Sequence, residues 1–322
     1  MKNIGFIGAS GMMGHGMAKN IQAKGFSLAV SVNRNRDAVA DLAAAGATVV
    51  DSPAGLGSCD AVLICVTGSP QVEAVMHGET GLLSKAKRGL IIIDTSTSEP
   101  ESTAKLAALC AAAGVVYVDA PLGRSPVEAE AGRLNTMVGA TPGVFAQIQP
   151  ILATYSENIF HVGGPGAGHI VKLLNNFVAQ AICTATAEAF TVGAKAGIDP
   201  AELVKVISAG PVNNGLFQAM AKTLGGDFAG LKFELDNARK DLRYYTHLAE
   251  MVNVPSFVGE AVHQSLSTAS NLGFGKEYVP SLVKAQEKLT GTASEYMSAL
   301  RLVRSFGEEA QAERELDHSS ES

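Results

Sequence analysis

The sequence predicts an α/β protein: a doubly wound, mostly parallel N-terminal sheet, a long bridging helix and an all-α C-terminal domain. Three observations predict it. A short apolar run near the N-terminus, Asn3-Ile-Gly-Phe-Ile-Gly8, leads into a glycine-rich turn and then into helical spacing. Strand and helix patterns alternate from there to residue 163. Beyond the glycine-broken stretch Gly163-Gly-Pro-Gly-Ala-Gly168, only helical patterns follow.

The first turn reads Gly8-Ala-Ser10-Gly11-Met12-Met13-Gly14, with Met17, Ala18, Ile21 and Ala23 at helical spacing after it. Strand, glycine turn and helix in this order are the context of a dinucleotide-binding fingerprint of the Rossmann type. Glycine lets backbone approach a pyrophosphate, and the helix N-terminus offers it free N–H groups and partial positive charge. Gly8, Ser10, Gly11, Met12, Met13 and Gly14 are therefore expected cofactor contacts. The spacing is Gly-x-x-Gly-x-x-Gly, one residue longer than the commonest form.

A second strand over 27–32 ends in Asn33-Arg34-Asn35-Arg36. A carboxylate at that strand end would accept from the ribose 2′-OH of NAD and repel a 2′-phosphate. An amide and a guanidinium stand there instead, and they suit a 2′-phosphate through charge-assisted hydrogen bonds. NADP is thus favoured over NAD, with Asn33, Arg34 and Asn35 as contacts. The alternative is that Arg34 and Arg36 are solvated residues at a helix start.

Further strands read over 61–66, 90–94, 115–119, 135–139 and 159–162, with helical patterns at 37–45, 71–77, 101–113 and 142–155. In such sheets ligands bind beyond the carboxyl ends of the strands. Those ends carry Val66-Thr67-Gly68, Asp94-Thr-Ser96-Thr97 and Asp119-Ala-Pro-Leu122-Gly123-Arg124-Ser125. Val66 and Thr67 are expected to face the cofactor. From 168 to 196 runs one nearly uninterrupted helix pattern, too apolar for solvent and expected to pack between domains or subunits. Helices at 200–208, 215–224, 234–252, 256–272 and 279–289 follow. The expected organisation is a dinucleotide-binding domain over 1–163, an interdomain helix over 164–196, an all-α domain over 197–292, and a polar, acidic extension over 293–322 with a disordered end.

The opening of that long helix, Gly166-Ala-Gly-His-Ile-Val-Lys172-Leu-Leu-Asn175-Asn176, carries the second chemical expectation. Residues four apart share a helix face, so Lys172 and Asn176 point the same way and Asn175 lies just off that line. The neighbours are apolar: Ile170, Val171, Leu173, Leu174, Phe177 and Val178. A lysine so placed is either a paired, snorkelling cation or an acid/base whose ammonium form desolvation disfavours.

Bulk properties bound the function. The 322 residues are 47% hydrophobic and 17% charged, which suits a well-buried two-domain enzyme. A formal charge of −6 argues against general nucleic-acid binding. No apolar stretch is expected to span a membrane. The chain opens directly on a strand, so no signal peptide is expected. Cys59, Cys65, Cys110 and Cys183 show no paired spacing and read as reduced thiols of a cytoplasmic protein. The scattered histidines suggest no metal.

Four segments, taken in order, resemble the β-hydroxyacid dehydrogenases, the family of 3-hydroxyisobutyrate dehydrogenase, tartronate semialdehyde reductase and, more distantly, 6-phosphogluconate dehydrogenase. Gly5-Phe-Ile-Gly8 through Met17-Ala-Lys-Asn20 is similar to the family's cofactor motif. Asp119-Ala-Pro121 through Gly132-Arg-Leu134 is similar to its substrate segment, and 166–176 to its catalytic motif. Phe233 with Lys240-Asp241-Leu242 is similar to the segment that closes the site. The likeness covers 1 to 290. It implies hydride transfer between NAD(P) and a short anionic β-hydroxy acid or its semialdehyde, without a metal. The apolar bridging helix and the all-α second domain suggest at least a dimer, so a homodimer or homotetramer is expected. The likeness implies Lys172 as general acid/base, Asn176 and Asn175 as substrate holders, and Ser96 and Lys240 near nicotinamide and substrate. Leu122, Gly123, Arg124 and Ser125 would grip the substrate's anion.

The chain departs from the family there. The usual Ser-Gly-Gly is Gly123-Arg124-Ser125, which resembles the sulfolactaldehyde reductase branch, whose substrate bears a sulfonate. Arg124 suits a carboxylate or a tetrahedral oxyanion, or is structural. An imine reductase shares the architecture, but Lys172 argues against it. A silent dinucleotide-binding scaffold would be expected to lose Lys172 or the glycine turn, and neither is lost.

Overall fold

The structure is a computed structural model and describes residues 1–32 and 35–292 of the chain. The readings at Asn33 and Arg34, and the extension over 293–322, lie outside the described residues. Strands β1 (Asn3–Ile7), β2 (Ser27–Ser31), β3 (Thr48–Val50), β4 (Ala61–Ile64), β5 (Ile91–Asp94) and β6 (Val116–Asp119) lie in the order β3-β2-β1-β4-β5-β6. Every neighbouring pair in that run is parallel. The strand order reverses between β1 and β4, the switch point where such sheets bind ligands. Beyond β6 the sheet continues through β8 (Leu134–Gly139), which is antiparallel to β6 and to the two-residue β7 (Leu122–Gly123) and parallel to β9 (Ser156–Gly163).

Both faces of the sheet are covered. Ile4, Phe6, Leu63 and Ile93 enter one core, while Ile7, Val62, Ile64 and Ile92 enter another on the opposite face. That is why these strands read as continuous apolar runs rather than as alternation. The covering helices are α1 (Met12–Ala23), α2 (Ala40–Ala44), α3 (Ser69–Met76), α4 (Pro100–Ala112), α5 (Pro126–Glu130) and α6 (Pro142–Leu152).

The elements differ from expectation at some edges. The helix expected over 37–45 is a 3-10 turn, Asp37–Val39, followed by the short α2. The pattern over 142–155 stops at Leu152. β3, β7 and α5 were not expected. α5 is announced by Ser125-Pro126-Val-Glu128, a capping box with proline at the first helical position.

Helix α7 (Ala167–Lys195) follows, then α8 (Pro200–Ser208), α9 (Gly215–Ala221), α10 (Leu235–Met251), α11 (Phe257–Ala269) and α12 (Leu282–Thr290). By length and composition α7 is long and apolar enough to cross a membrane, which corrects the expectation that no stretch is. A core helix of a soluble protein passes the same test, and Asn176 and Gln180 are buried on it. α11 gives way to a π turn, Ser270–Phe274, broken by Gly273 at φ 102°.

The chain divides into two compact units. One comprises Met1–Asn175 with His247–Val254, and the other Asn176–Thr246 with the residues from Pro255 on. The second has its own core, in which Phe190, Phe217, Leu242, Leu266 and Leu282 are buried.

Candidate active site

In the first unit the glycine turn is closed by backbone. The Gly11 N–H donates to the Gly8 carbonyl at 3.0 Å, and His15 N–H to the Gly11 carbonyl at 2.9 Å. Gly8 sits at φ 93°, and a methyl on Gly14 would lie 2.2 Å from the Gly8 carbonyl oxygen. Turn and helix start can approach this closely only as glycines. α1 begins at Met12 with no acidic residue in its first turn and no side-chain cap. The longer spacing is thus accommodated, and the turn still aims uncapped N–H groups past the end of β1, as a pyrophosphate requires. Ser10, Gly11 and Met12 are exposed. The Asn35 side chain accepts from Ala38 N–H at 3.3 Å.

The ends of β4, β5 and β6 are tied together by buried polar groups. Ser96 is 3% exposed, and its hydroxyl accepts from Val66 N–H at 3.0 Å. Asp94 accepts from Ser96 N–H, the Ser98 hydroxyl and the Tyr117 hydroxyl at 2.9, 3.0 and 2.8 Å. Burial, and then Asp94, push the Tyr117 phenol well above its ordinary pKa, so it remains a donor. Thr67 is exposed beside this group.

Asp119, at the end of β6, fixes the start of α7. Its carboxylate accepts from Gly166 N–H at 2.7 Å and His169 N–H at 3.0 Å. Helix N-termini carry unsatisfied N–H groups and favour negative charge, so a buried carboxylate there is doubly suited. Gly168 permits the approach, since a methyl on it would lie 2.5 Å from the Met137 carbonyl oxygen. His169 is fully buried, with Nδ1 2.7 Å from the Thr103 hydroxyl and Nε2 3.7 Å from Asp94. Lys172, half-buried, lies three residues on, and Asn175 is exposed. Sequence reasoning did not assign a role to Asp119 or His169, although both stand inside the segments it singled out.

In the substrate loop Leu122 and Gly123 pair with Thr136 and Asn135 of β8. Arg124 has φ 78°, unusual for a non-glycine residue. Its guanidinium donates to the Glu157 carboxylate on β9 and to the Arg133 carbonyl. Ser125 forms the capping box, accepting and donating locally with α5, and its N–H reaches Glu128 at 3.1 Å.

In the second unit Asp241 links two expected site residues. The Asn176 amide donates to it at 2.6 Å, and Lys240 lies 2.8 Å from its other oxygen. Asp241 is 2% exposed and Asn176 6%. Lys240 also lies 4.9 Å from the Tyr244 ring centroid, a cation–π distance. The amide orientation of Asn176 is therefore set by a carboxylate, which leaves its carbonyl oxygen as the acceptor.

The four cysteines are free. Burial pushes the Cys65 thiol up to about 11 and those of Cys110 and Cys183 up to about 12, so none is a poised nucleophile.

Residues 3–163 match the family profile of the NAD-binding domain of 6-phosphogluconate dehydrogenase. Residues 166–285 match that of the NAD-binding of NADP-dependent 3-hydroxyisobutyrate dehydrogenase. The 2-(hydroxymethyl)glutarate dehydrogenase of Eubacterium barkeri is 34% identical over 293 residues, 90% of this chain and 96% of its own. The 3-sulfolactaldehyde reductase of Escherichia coli is 32% identical over 280 residues, 86% of this chain and 93% of its own. Among solved structures, a 3-hydroxyisobutyrate dehydrogenase from Salmonella typhimurium superposes with a TM-score of 0.76 at 27% identity, covering 88% of this chain and 99% of its own.

Proposed function

We propose a substrate and residue roles from one premise: the chain belongs to the β-hydroxyacid dehydrogenase family and is an NAD(P)-dependent oxidoreductase that acts on hydroxy acids or their semialdehydes. The substrate is a short β-hydroxy acid with a carboxylate, or its semialdehyde. The observation that carries this reading is the pair Lys172 and Asn176, one turn apart on a helix whose start is held by Asp119. When bound, the nicotinamide carries the hydride. Lys172 moves the proton, giving it to the carbonyl oxygen in reduction and taking it from the hydroxyl in oxidation. Asn176 and Asn175 orient the substrate, and Lys240 lines its cofactor side. Ser96, held by Val66 N–H, borders nicotinamide and substrate.

The anion is gripped by the loop from Leu122 to Ser125, with Arg124 as its cation. The Arg124–Glu157 pair is partly exposed, and such pairs are worth only about 0–1 kcal/mol, so a substrate carboxylate can displace it. NADP is preferred over NAD on the strength of Asn33 and Arg34. The enzyme works as a homo-oligomer, a reading supported by Val178 and Val192 of α7, 54% and 60% exposed in the single chain.

The test is a spectrophotometric screen with NADPH and NADH against matched carboxylate and sulfonate semialdehydes. The expected result is turnover of a carboxylate semialdehyde with higher kcat/KM for NADPH. Higher kcat/KM on the sulfonate would move the assignment to the sulfolactaldehyde reductase branch. A preference for NADH would overturn the roles of Asn33 and Arg34.

A further inference from the structure

His169 stands in the first turn of α7, and the chemistry proposed above leaves its side chain without a task. It is fully buried inside the first unit, where three other elements meet it. Its backbone N–H donates to Asp119 at the end of β6. Its Nδ1 lies 2.7 Å from the Thr103 hydroxyl on α4. Its Nε2 lies 3.7 Å from Asp94 at the end of β5, out of hydrogen-bond reach, and has no partner. The Thr103 hydroxyl donates to the Glu99 carbonyl at 3.1 Å. A hydroxyl has one proton to give, so toward the ring it accepts, and Nδ1 is the donor.

A buried nitrogen without a partner is unfavourable. An apolar side chain of similar size would fill this space without one, because Asp94 already accepts from Ser96 N–H and from the Ser98 and Tyr117 hydroxyls. What the imidazole adds is a directional bond that ties the first turn of α7 to α4. Residues three apart are neighbours on a helix surface, so a rotation or slip of that turn carries Lys172 with it. We propose that His169 is a positioning residue for proton transfer: its Nδ1–H bond to Thr103 fixes the first turn of α7 and thereby the place of the Lys172 side chain. The inference rests on the role proposed for Lys172 and deepens it. A displacement of about 1 Å in a reacting group can cost on the order of 100-fold in rate, so one buried bond away from the substrate is enough to govern kcat.

The test is steady-state kinetics on the full-length enzyme, with NADPH affinity by fluorescence titration and folding by urea titration. Thr103→Val removes the acceptor and leaves the ring in place, and the Glu99 carbonyl keeps its bond from Thr103 N–H. His169→Leu removes the ring. Each lowers kcat by about 10- to 100-fold, with KM and NADPH affinity unchanged. Thr103→Ser, which keeps the hydroxyl, and His169→Asn, whose amide can donate from the place of Nδ1, hold kcat near wild type. In a Lys172→Ala background Thr103→Val causes no further loss, because groups acting as one unit are not additive. Wild-type kcat in Thr103→Val overturns the inference, even where the urea midpoint falls, because His169 then serves the fold alone. So does an equal loss in Thr103→Ser, or the same loss recurring in the Lys172→Ala background. Turnover of Lys172→Ala within about threefold of wild type is a different failure, since it removes the proposed role of Lys172 itself, and this inference with it.

Discussion

Lys172 is half-buried on α7, one turn before Asn176 and three residues after a histidine locked into the sheet's polar edge. If Lys172 transfers the proton as proposed, it acts on kcat, so Lys172→Ala lowers kcat by about 10²–10⁴-fold and leaves NADP binding, read by fluorescence titration, as in the wild type. Turnover within threefold of wild type would remove Lys172 from the chemistry. Arg124 is a subtler case, because Glu157 already occupies its guanidinium. If Arg124 grips the substrate anion, Glu157 competes with that anion. Glu157→Gln then lowers KM for a carboxylate semialdehyde, and Arg124→Ala raises it by roughly 10- to 150-fold, the worth of a charged hydrogen bond of about 1.5–3 kcal/mol. Neither change moves KM for a neutral aldehyde of similar size. Equal effects on both aldehydes would make Arg124 a clamp of the β7–β9 edge and nothing more.

At the scale of elements, one histidine on α1 bonds both α2 and α5, beside the Asn20 and Lys19 bonds to α5 and the Gln22 bond to α2. His15 Nδ1 lies 2.9 Å from Glu130, and its Nε2 lies 3.0 Å from Asp41. The Glu130 hydrogen bond, opposed by partial burial and aided by Asp41, raises the His15 pKa, while the bond to His15 lowers those of Asp41 and Glu130. A raised histidine stabilises fully below its unfolded value near 6.5, and the contribution disappears as pH climbs through the folded value. The lowered carboxylates contribute above their unfolded values near 4 and lose that as pH falls through the folded ones. The clamp is therefore tightest in mildly acidic solution. His15→Gln should cost most stability at about pH 5.5–6.5 and progressively less above it, as urea titrations at a series of pH values would show. A pH-independent difference would mean that packing, not charge, is what His15 supplies. This clamp was not legible in the sequence, for a physical reason. Asp41 and Glu130 are 26 and 115 residues from His15, and no local pattern reports such pairs. The Asp119 cap on α7 and the Asn176–Asp241 bond have the same character, at separations of 50 and 65. What was legible is local: apolar runs that became β1, β4 and β5, helix α8 to the residue, and the glycine turn. The short β3, β7 and α5 escaped because two to five residues carry too little periodicity, though the capping box before α5 stood in plain sight.

At the scale of the whole molecule, the chain has two compact units with separate cores, and helices α7 and α10 each pass from one to the other. The glycine turn, α1 and the switch point between β1 and β4 belong to the first unit, while Asn176, Lys240 and Asp241 belong to the second. A ligand stabilises only the structure that must be folded to bind it, by about 2.7 kcal/mol at 100 times its Kd. Exchange that proceeds through unfolding of that structure slows by the same factor, about 100-fold. NADP+ alone should therefore slow the most protected amides of β1, β4 and β5 by about that factor. If the units unfold independently, amides of α8, α9 and α12 keep their rates until a substrate analogue is added as well. Hydrogen exchange with NADP+, and then with NADP+ and a non-reducible hydroxy acid, separates the cases. Uniform slowing of both units by NADP+ alone would show that they unfold as one cooperative body. No slowing in β1, β4 and β5 would contradict dinucleotide binding at the glycine turn, whatever the sequence motif suggests.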